Sequence, residues 1–189
     1  MQRDDAGGSG ATAAADAAAT DTLATERLVL RRLAPSDAPF VRALVNDPDW
    51  LRYIGDKGVR TDDDARGYLE RGPIATYARH GFGLYLVARR CDMAPVGICG
   101  LIKRDSLPDV DIGFAFLPAH RGAGYALEAA AAAIDEGRTR YGLARVIAIV
   151  SPDNARSIRL LEKLGMTSEG LLPGAPVEDP LMLYALDLV

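Results

Sequence analysis

The chain has 189 residues, 49% hydrophobic and 25% charged, which is typical of a single globular domain large enough to bury one core. Its formal net charge of −4 excludes the basic surface expected of a nucleic-acid-binding protein. No segment approaches the roughly 20 apolar residues that cross a bilayer, and no signal-peptide pattern opens the chain, so we expect a cytoplasmic protein without a membrane partner. Cys91 and Cys99 match no zinc spacing, so we expect no metal site, a buried Cys99 and a reduced loop thiol at Cys91.

The first half of the chain predicts a tail, one strand and several helices. Residues 1–22 are rich in Ala, Asp, Gly and Thr, which favours a disordered or weakly helical tail before a single domain at 23–189. Alternation after Leu28 predicts a strand, and a capped amphipathic helix follows it. Thr61 begins a further helix, and Pro73 interrupts that helix because proline has no backbone N–H.

The second half of the chain predicts most of a sheet. Three strand-like segments joined by short turns predict an antiparallel meander, and a nearly continuous apolar run is typical of a strand buried on both faces. Asn154 begins a helix that ends at Gly165. The strands are predicted over 82–89, 94–103, 110–117, 146–150 and 181–189. The order of elements favours an α/β or layered α+β fold, with helices on both faces of the sheet.

A glycine-bearing turn joins the strand at 110–117 to an alanine-rich helix over 127–134. The first N–H groups of a helix lack intrahelical partners and form its positive end, so they can bind an anion. Gly122 and Gly124 allow the backbone to approach that anion closely. A Rossmann turn would need a third glycine and a P-loop would need Gly-Lys-Ser/Thr, and neither is present. The turn therefore predicts an anion cradle of a different class.

The pattern Arg121-x-x-Gly124-x-Ala126 resembles the pyrophosphate loop of the GNAT superfamily of N-acetyltransferases. The helix that starts at Asn154 resembles a second family segment, with Met166 in place of its Phe. Together with the front segment from Thr25 to Arg31, the resemblance covers about residues 23–189. As a whole it is most similar to the RimJ/RimL-type branch, whose members acetylate protein N-terminal amines. The resemblance implies a mixed, mostly antiparallel sheet of about seven strands, with a parallel pair that splays at the acetyl-CoA site.

The resemblance also implies which residues bind acetyl-CoA. The expected cofactor-binding residues are Phe116, Leu117, Arg121, Gly122, Ala123, Gly124, Tyr125, Ala126, Asn154 and Ser157. Arg156 and Arg159 could add positive charge beside the phosphates. Asn154 is open to a second interpretation as a plain helix cap, because Asn is a preferred N-cap residue.

Three side chains are candidates for proton transfer. Asp111 lies on the face of its strand opposite Val110 and Ile112, and it is the leading candidate for the general base. Many family members have a Tyr seven residues after the Asn, where this chain has Leu161. Ser157 is therefore the favoured donor to the departing thiolate, and Tyr184 is the second candidate.

The acceptor is expected to be a primary amine, with the α-amine of a protein or peptide favoured. Neutralising an α-amine of pKa about 7.7–8.0 at pH 7 costs about 1 kcal/mol, against about 4.5 kcal/mol for a lysine amine. Trp50, Tyr53 and Ile54 could line the acceptor groove, although a core role is favoured for them. A small-molecule amine acetyltransferase, an idle acyl-CoA-binding module and a plain α/β interaction domain stay open, as do monomer and homodimer.

Overall fold

The computed structural model describes residues 22–188, which form one eight-stranded sheet with helices on both faces. The strands are β1 (Thr22–Ala24), β2 (Leu28–Arg32), β3 (Leu84–Arg89), β4 (Pro95–Ile102), β5 (Val110–Phe116), β6 (Arg145–Val150), β7 (Thr167–Leu171) and β8 (Met182–Asp187). The helices are α1 (Ala38–Val45), α2 (Pro48–Tyr53), α3 (Asp62–Leu69), α4 (Ala75–His80), α5 (Tyr125–Tyr141) and α6 (Ala155–Lys163). The predicted N-terminal tail lies outside the described residues except for Thr22, which is the first residue of β1 and not part of a tail.

The strand order is β1-β2-β3-β4-β5-β6-β8-β7. Neighbouring strands are antiparallel except β5 and β6, which form the one parallel pair within residues 22–188. The predicted mixed, mostly antiparallel sheet is confirmed, with eight strands in place of about seven. The short β1 and the exposed β7, which has a bulge at Gly170, lack the alternation of buried side chains that reveals a strand in a sequence.

Helix α5 packs on one face of the sheet, and its alanines explain how closely it can approach. Ala129, Ala130 and Ala133 have no exposed surface and belong to the main hydrophobic core. A Cβ at Gly137 would lie 3.1 Å from Leu101 Cδ1 on β4. The small side chains therefore hold the helix, and the glycine turn before it, at a fixed height above the sheet.

Helices α1, α2 and α3 cover the opposite face with a second core that includes Leu44, Trp50 and Leu69. Thr61 caps α3 as predicted, because its Oγ1 accepts the Asp64 N–H at 3.1 Å. Pro73 lies in a π-helical turn between α3 and α4, which is the predicted interruption. No helix within residues 22–188 is long and apolar enough to span a membrane.

The two cysteines lie where the sequence placed them. Cys99 is buried on β4, and Cys91 is exposed in the turn between β3 and β4. Both thiols are free. Burial raises the pKa of Cys99, so this thiol behaves as a small apolar side chain.

Candidate active site

The parallel pair of strands opens into a cleft. β5 and β6 pair at Val110 with Val146 and at Asp111 with Ile147, and the ladder ends there although both strands continue. The gap between the diverging strands is part of a cleft with a volume of about 1260 Å³. Walls come from α2, from the segments after α3, from the glycine turn and from the start of α6. The predicted splay is therefore present.

The edge of β5 presents backbone groups to this gap. N–H and C=O groups of successive strand residues point to opposite sides, and the Leu117 N–H bonds to the Val96 carbonyl of β4 at 3.0 Å. By this alternation, Phe114 and Phe116 direct their groups toward β6. The Phe116 carbonyl accepts from Arg121 Nε at 2.8 Å, so Phe114 is the residue whose N–H and C=O face the open cleft without a ladder partner.

This geometry corrects part of the expected cofactor edge. The sequence placed the free backbone groups at Phe116 and Leu117, but the Leu117 N–H and the Phe116 carbonyl are both bonded within the protein. Leu117 also packs against the second core and does not line the cleft. The available groups lie earlier on β5 because the ladder with β6 stops at Asp111.

The glycine turn lines the cleft at the start of α5. Gly122 and Gly124 have φ of +80° and +83°, values that favour glycine, and Gly124 is the N-cap residue of α5. No side chain caps the helix start, so the first N–H groups of α5 keep their bonding capacity. Gly122, Gly124, Tyr125 and Ala126 all line the cleft, whereas Ala123 does not.

Arg121 does not present a free guanidinium to an anion. Its Nη1 donates to Asp49 Oδ2 at 2.6 Å, and its Nη2 donates to the buried Asp47. Arg156 also contacts Asp49, at 3.2 Å. The predicted phosphate-binding side chain of Arg121 therefore joins the glycine turn to α2. The positive charge left for an anion here comes from the helix start and from the exposed Arg159, which makes no ion pair with any residue of the described part.

Arg27 braces the glycine turn from the start of β2. Its Nη1 donates to the Ala123 carbonyl at 2.8 Å, and its guanidinium lies 4.9 Å from the centre of the Tyr125 ring. Glu128 of α5 accepts from Arg27 Nε at 2.7 Å and from Thr25 Oγ1 at 2.6 Å. Burial raises the pKa of Glu128, but these hydrogen bonds hold it below its usual value, so the carboxylate stays ionised.

From the sequence alone, Glu128 would be interpreted as a charge that complements the helix dipole, and no contact of Arg27 could be predicted. The contact joins residues that are 101 positions apart, which periodicity cannot reveal. The one sequence feature that could have pointed to Arg27 is the GNAT-like segment from Thr25 to Arg31, which contains it. We describe this pair, Arg27 and Glu128, as the loop brace.

Asp111 lies on the face of β5 toward α3, as its alternation predicts, and its side chain is 2% exposed. Arg104 Nε donates to both carboxylate oxygens, at 3.2 and 3.1 Å. Burial raises the pKa of Asp111, and Arg104 opposes the shift. A buried carboxylate with a raised pKa on the wall of a cleft can accept a proton more readily than a solvated one. The alternative of a solvated charge at the strand start is wrong.

Two neighbours complete this end of the cleft. The space above Gly113 is occupied by Ile102, because a Cβ at Gly113 would lie 2.6 Å from Ile102 Cδ1. Tyr68 of α3 lines the cleft near Arg104, and burial raises the pKa of its phenol. The Tyr68 hydroxyl therefore stays a neutral hydrogen-bond donor. Neither Tyr68 nor Arg104 was identified from the sequence.

The start of α6 lies in the cleft. Asn154 is the N-cap of α6 and accepts the Ser157 N–H through Oδ1 at 3.1 Å, so its capping role is confirmed. Asn154 and Ser157 both line the cleft. Leu161 is 1% exposed in the main core, so this position cannot supply a proton.

Tyr184 is not positioned for the role that the sequence suggested. It lies on β8 opposite Ala148 of β6 and is 6% exposed in the main core. It does not belong to the lining of the cleft among residues 22–188. We therefore leave Tyr184 out of the catalytic proposal. Its position on β8 directs its side chain into the main core.

The wall formed by α2 combines core and cleft positions. Trp50 is buried in the second core, which agrees with the favoured interpretation. Tyr53 and Ile54 line the cleft, and Ile54 is 44% exposed, so a core role is wrong for Ile54. The N-cap of α2 is Asp47, which also binds Arg121. The position of this wall is thus tied to the glycine turn through Arg121.

A family profile described as Acetyltransferase (GNAT) domain matches residues 27–167, which include β5, the glycine turn, α5 and α6. The chain belongs to the GNAT acetyltransferase family. Its members are N-acetyltransferases, and the uncharacterized N-acetyltransferase p20 of Bacillus licheniformis is 31% identical over 146 residues, 77% of this chain and 82% of that protein. The uncharacterized N-acetyltransferase YnaD of Bacillus subtilis is 29% identical over 76% of this chain and 81% of its own length.

Solved structures agree with this GNAT assignment. The acetyltransferase from Agrobacterium tumefaciens has a TM-score of 0.73 and 30% identity, and the match covers 87% of this chain and 93% of that one. RimL, a ribosomal L7/L12 α-N-protein acetyltransferase solved in complex with coenzyme A, has a TM-score of 0.74 at 20% identity, covering 86% of this chain and 95% of its own. At 20% identity, this similarity to RimL shows a shared fold and nothing further.

Proposed function

We propose that this GNAT acetyltransferase transfers acetyl from acetyl-CoA to the α-amine of a protein or peptide, by direct attack when both substrates are bound. The observation that carries the proposal is the buried Asp111, which has a raised pKa and lies where β5 and β6 begin to diverge. This position beside the unpaired backbone groups of β5 supports Asp111 as the base. The RimL structure, which contains coenzyme A, supports the choice of donor.

The described residues fit a CoA thioester. Gly122 and Gly124 adopt left-handed backbone conformations beside an uncapped helix start, which suits a pyrophosphate. The free N–H and C=O of Phe114 suit the amide groups of a pantetheine arm. Acetyl-CoA would supply the activated carbonyl as a thioester, and this chain would supply the cradle, the base and the proton donor.

Each proposed role follows from a position in the cleft. Asp111 takes the proton from the attacking amine, directly or through one water, because it is a short carboxylate. Ser157, on the first turn of α6, donates its hydroxyl proton to the departing sulfur and takes a proton back from water in the cleft. Asn154 fixes the Ser157 backbone and has remaining amide groups to offer the pantetheine arm.

An α-amine suits a carboxylate base. Its pKa of about 7.7–8.0 leaves a substantial neutral fraction near pH 7, whereas a lysine amine of pKa about 10.4 is almost fully protonated. Deprotonating an N-terminal amine costs about 3.5 kcal/mol less than deprotonating a lysine amine. This difference favours an N-terminal acceptor over a lysine side chain.

Ser157→Ala should lower kcat about tenfold while the Kd for CoA stays within about twofold, because the hydroxyl acts mainly on the charge that develops on the sulfur as it departs. Pre-steady-state acetyl transfer and calorimetric titration separate the two quantities. If turnover is equal in the mutant and the wild type, water or another group protonates the thiolate.

Arg27→Met should weaken CoA binding about tenfold, because it removes the hydrogen bond and the ring contact that hold the glycine turn in place. Arg90→Met is the matched control: Arg90 contacts the Thr25 carbonyl at 2.8 Å but not the turn. Calorimetry should show unchanged affinity for Arg90→Met. Equal affinities for both variants would remove the loop brace from the cofactor site.

The proposed function is tested by titrating acetyl-CoA and CoA calorimetrically and then offering the enzyme three acceptors. These are a peptide with a free N-terminus, the same peptide with a blocked N-terminus and an internal lysine, and spermine. We expect binding of both nucleotides and acetylation of the free N-terminus, located by mass spectrometry. Binding without any transfer would indicate an acyl-CoA-binding module, transfer to spermine a small-amine enzyme, and absence of binding would overturn the proposal.

A further inference from the structure

The loop between β4 and β5 carries Arg104, whose guanidinium is hydrogen-bonded, within the described part of the chain, through only one of its three nitrogens. Its Nε is bonded to both oxygens of Asp111, but its terminal nitrogens have no hydrogen-bond partner among residues 22–188. The side chain of Arg104 is 44% exposed, against 2% for Asp111. Arg104 also lines the cleft. The two terminal nitrogens of a permanently charged group therefore lie next to the proposed base, on a side chain that lines the cleft.

The loop that carries Arg104 is held in place. Lys103 Nζ donates to the Leu107 and Pro108 carbonyls at 3.0 and 2.8 Å, and the Leu107 N–H donates to the Arg104 carbonyl at 3.2 Å. Leu107 is 5% exposed and packs with Ile147 of β6. Its contacts fix the backbone on either side of Arg104. The direction of the guanidinium is thus a property of the fold, and little ordering entropy would be lost when it binds an anion.

The charges around this end of the cleft are mainly positive. Arg52 of α2 and Lys57, five residues later, line the same cleft as Arg104. Among the described residues, seven Lys or Arg side chains line the cleft against five carboxylates. Of these carboxylates, Asp111 is paired with Arg104, and Asp47 and Asp49 are paired with Arg121. Asp153 and Asp179 make no ion pair within residues 22–188. The excess of positive side chains in the cleft would repel a polyamine or another polycation, even though the whole chain has a net charge of −4.

Resting on the proposed function, we propose that the preferred acceptor carries a carboxylate close to its reactive amine, and that Arg104 binds this carboxylate. Arginine binds carboxylates with paired N–H donors, and the two terminal nitrogens of Arg104 are available for such a pair. The amine would lie at Asp111 and the carboxylate at Arg104. Because these two groups are in direct contact, the acceptor's charges must also be close, as in a peptide with Asp or Glu at its first or second position.

The experiment compares kcat/KM for two peptides that differ in one atom group: one with Asp at the second position and one with Asn there. Free aspartate and spermine are further acceptors. The wild type should favour the Asp peptide at least tenfold, mainly through KM. Arg104→Met should reduce this ratio to about one, and Arg104→Lys should keep part of it. The ratio is the informative quantity, because losing Arg104 also changes the pKa of Asp111 and thereby affects both peptides alike.

The outcomes separate this inference from the proposed function. If the wild type acetylates both peptides equally, or prefers spermine, the carboxylate site is wrong while N-acetylation stands. If free aspartate is the better acceptor, Arg104 binds the carboxylate of an amino acid and not of a peptide side chain. If no acceptor is modified although CoA binds, the proposed function fails together with the inference. Far-ultraviolet circular dichroism and CoA titration verify that the Arg104 variants are folded, and the wild-type comparison needs no variant.

Discussion

Gly124→Glu should abolish CoA binding, with a loss of affinity of at least a hundredfold, about 2.7 kcal/mol. Three effects act together. Gly124 has φ of +83°, which costs a side chain of L configuration about 1–2 kcal/mol. A Cβ there would also lie 3.2 Å from Arg27 Nη2, within the loop brace. The new carboxylate would occupy the positive end of α5 and repel a pyrophosphate. Calorimetric titration of CoA measures the loss.

The matched control is Gly142→Glu. Gly142 ends the same helix with a φ of +63°, and a Cβ there would contact nothing within 4 Å. The substitution, the charge and the left-handed backbone are the same, but the site is about 25 Å away along the 17 residues of α5. Gly142→Glu should bind CoA with wild-type affinity. Equal losses in the two variants would show that α5 is damaged and that the turn has no special role.

The fold was predictable where burial imposes a period on the sequence. β3 and β4 are apolar and buried over most of their length, β6 is apolar from Val146 to Val150, and α3 carries a recognisable cap at Thr61. β7 escaped prediction because its side chains are mostly exposed, and no face of the strand is selected by the core. Its place at the edge, paired with β8, follows from tertiary contacts.

The parts of the candidate site that depend on local backbone conformation could be predicted from the sequence. The parts that depend on ion pairs between distant residues could not. The left-handed glycines and the cap at Asn154 are local features, and they lie where the sequence placed them. The partners of Arg121, at Asp47 and Asp49, come from a different helix more than 70 positions earlier. Nothing in the local pattern could show that this arginine is neutralised before any phosphate arrives. Arg104 was not predicted for the same reason. It lies in a loop, and only its contact with Asp111 shows that it belongs to the site.

Asp111→Asn should lower kcat/KM for acetyl transfer about 10²–10⁴-fold, the usual contribution of a general base, and leave the Kd for CoA unchanged. Asparagine keeps the shape of the side chain but cannot accept the amine proton. Wild-type activity should fall on acidification as Asp111 becomes protonated through its raised pKa, and the variant should lose that limb of the profile. Asp109→Asn is the control, because Asp109 pairs with Arg145 and does not line the cleft.

The same variant separates a catalytic carboxylate from a structural one. Burial raises the pKa of Asp111 above its ordinary value of 3.8, so the folded protein keeps this proton at pH values where the unfolded chain has lost it. The stability that this proton provides is complete below the ordinary pKa and is lost as the pH rises through the raised one. At neutral pH the ionised carboxylate therefore costs folding free energy, which asparagine does not. We expect Asp111→Asn to melt at the same temperature as the wild type or higher, measured by calorimetry at pH 7. A lower melting temperature together with retained turnover would assign Asp111 to the architecture and move the base elsewhere.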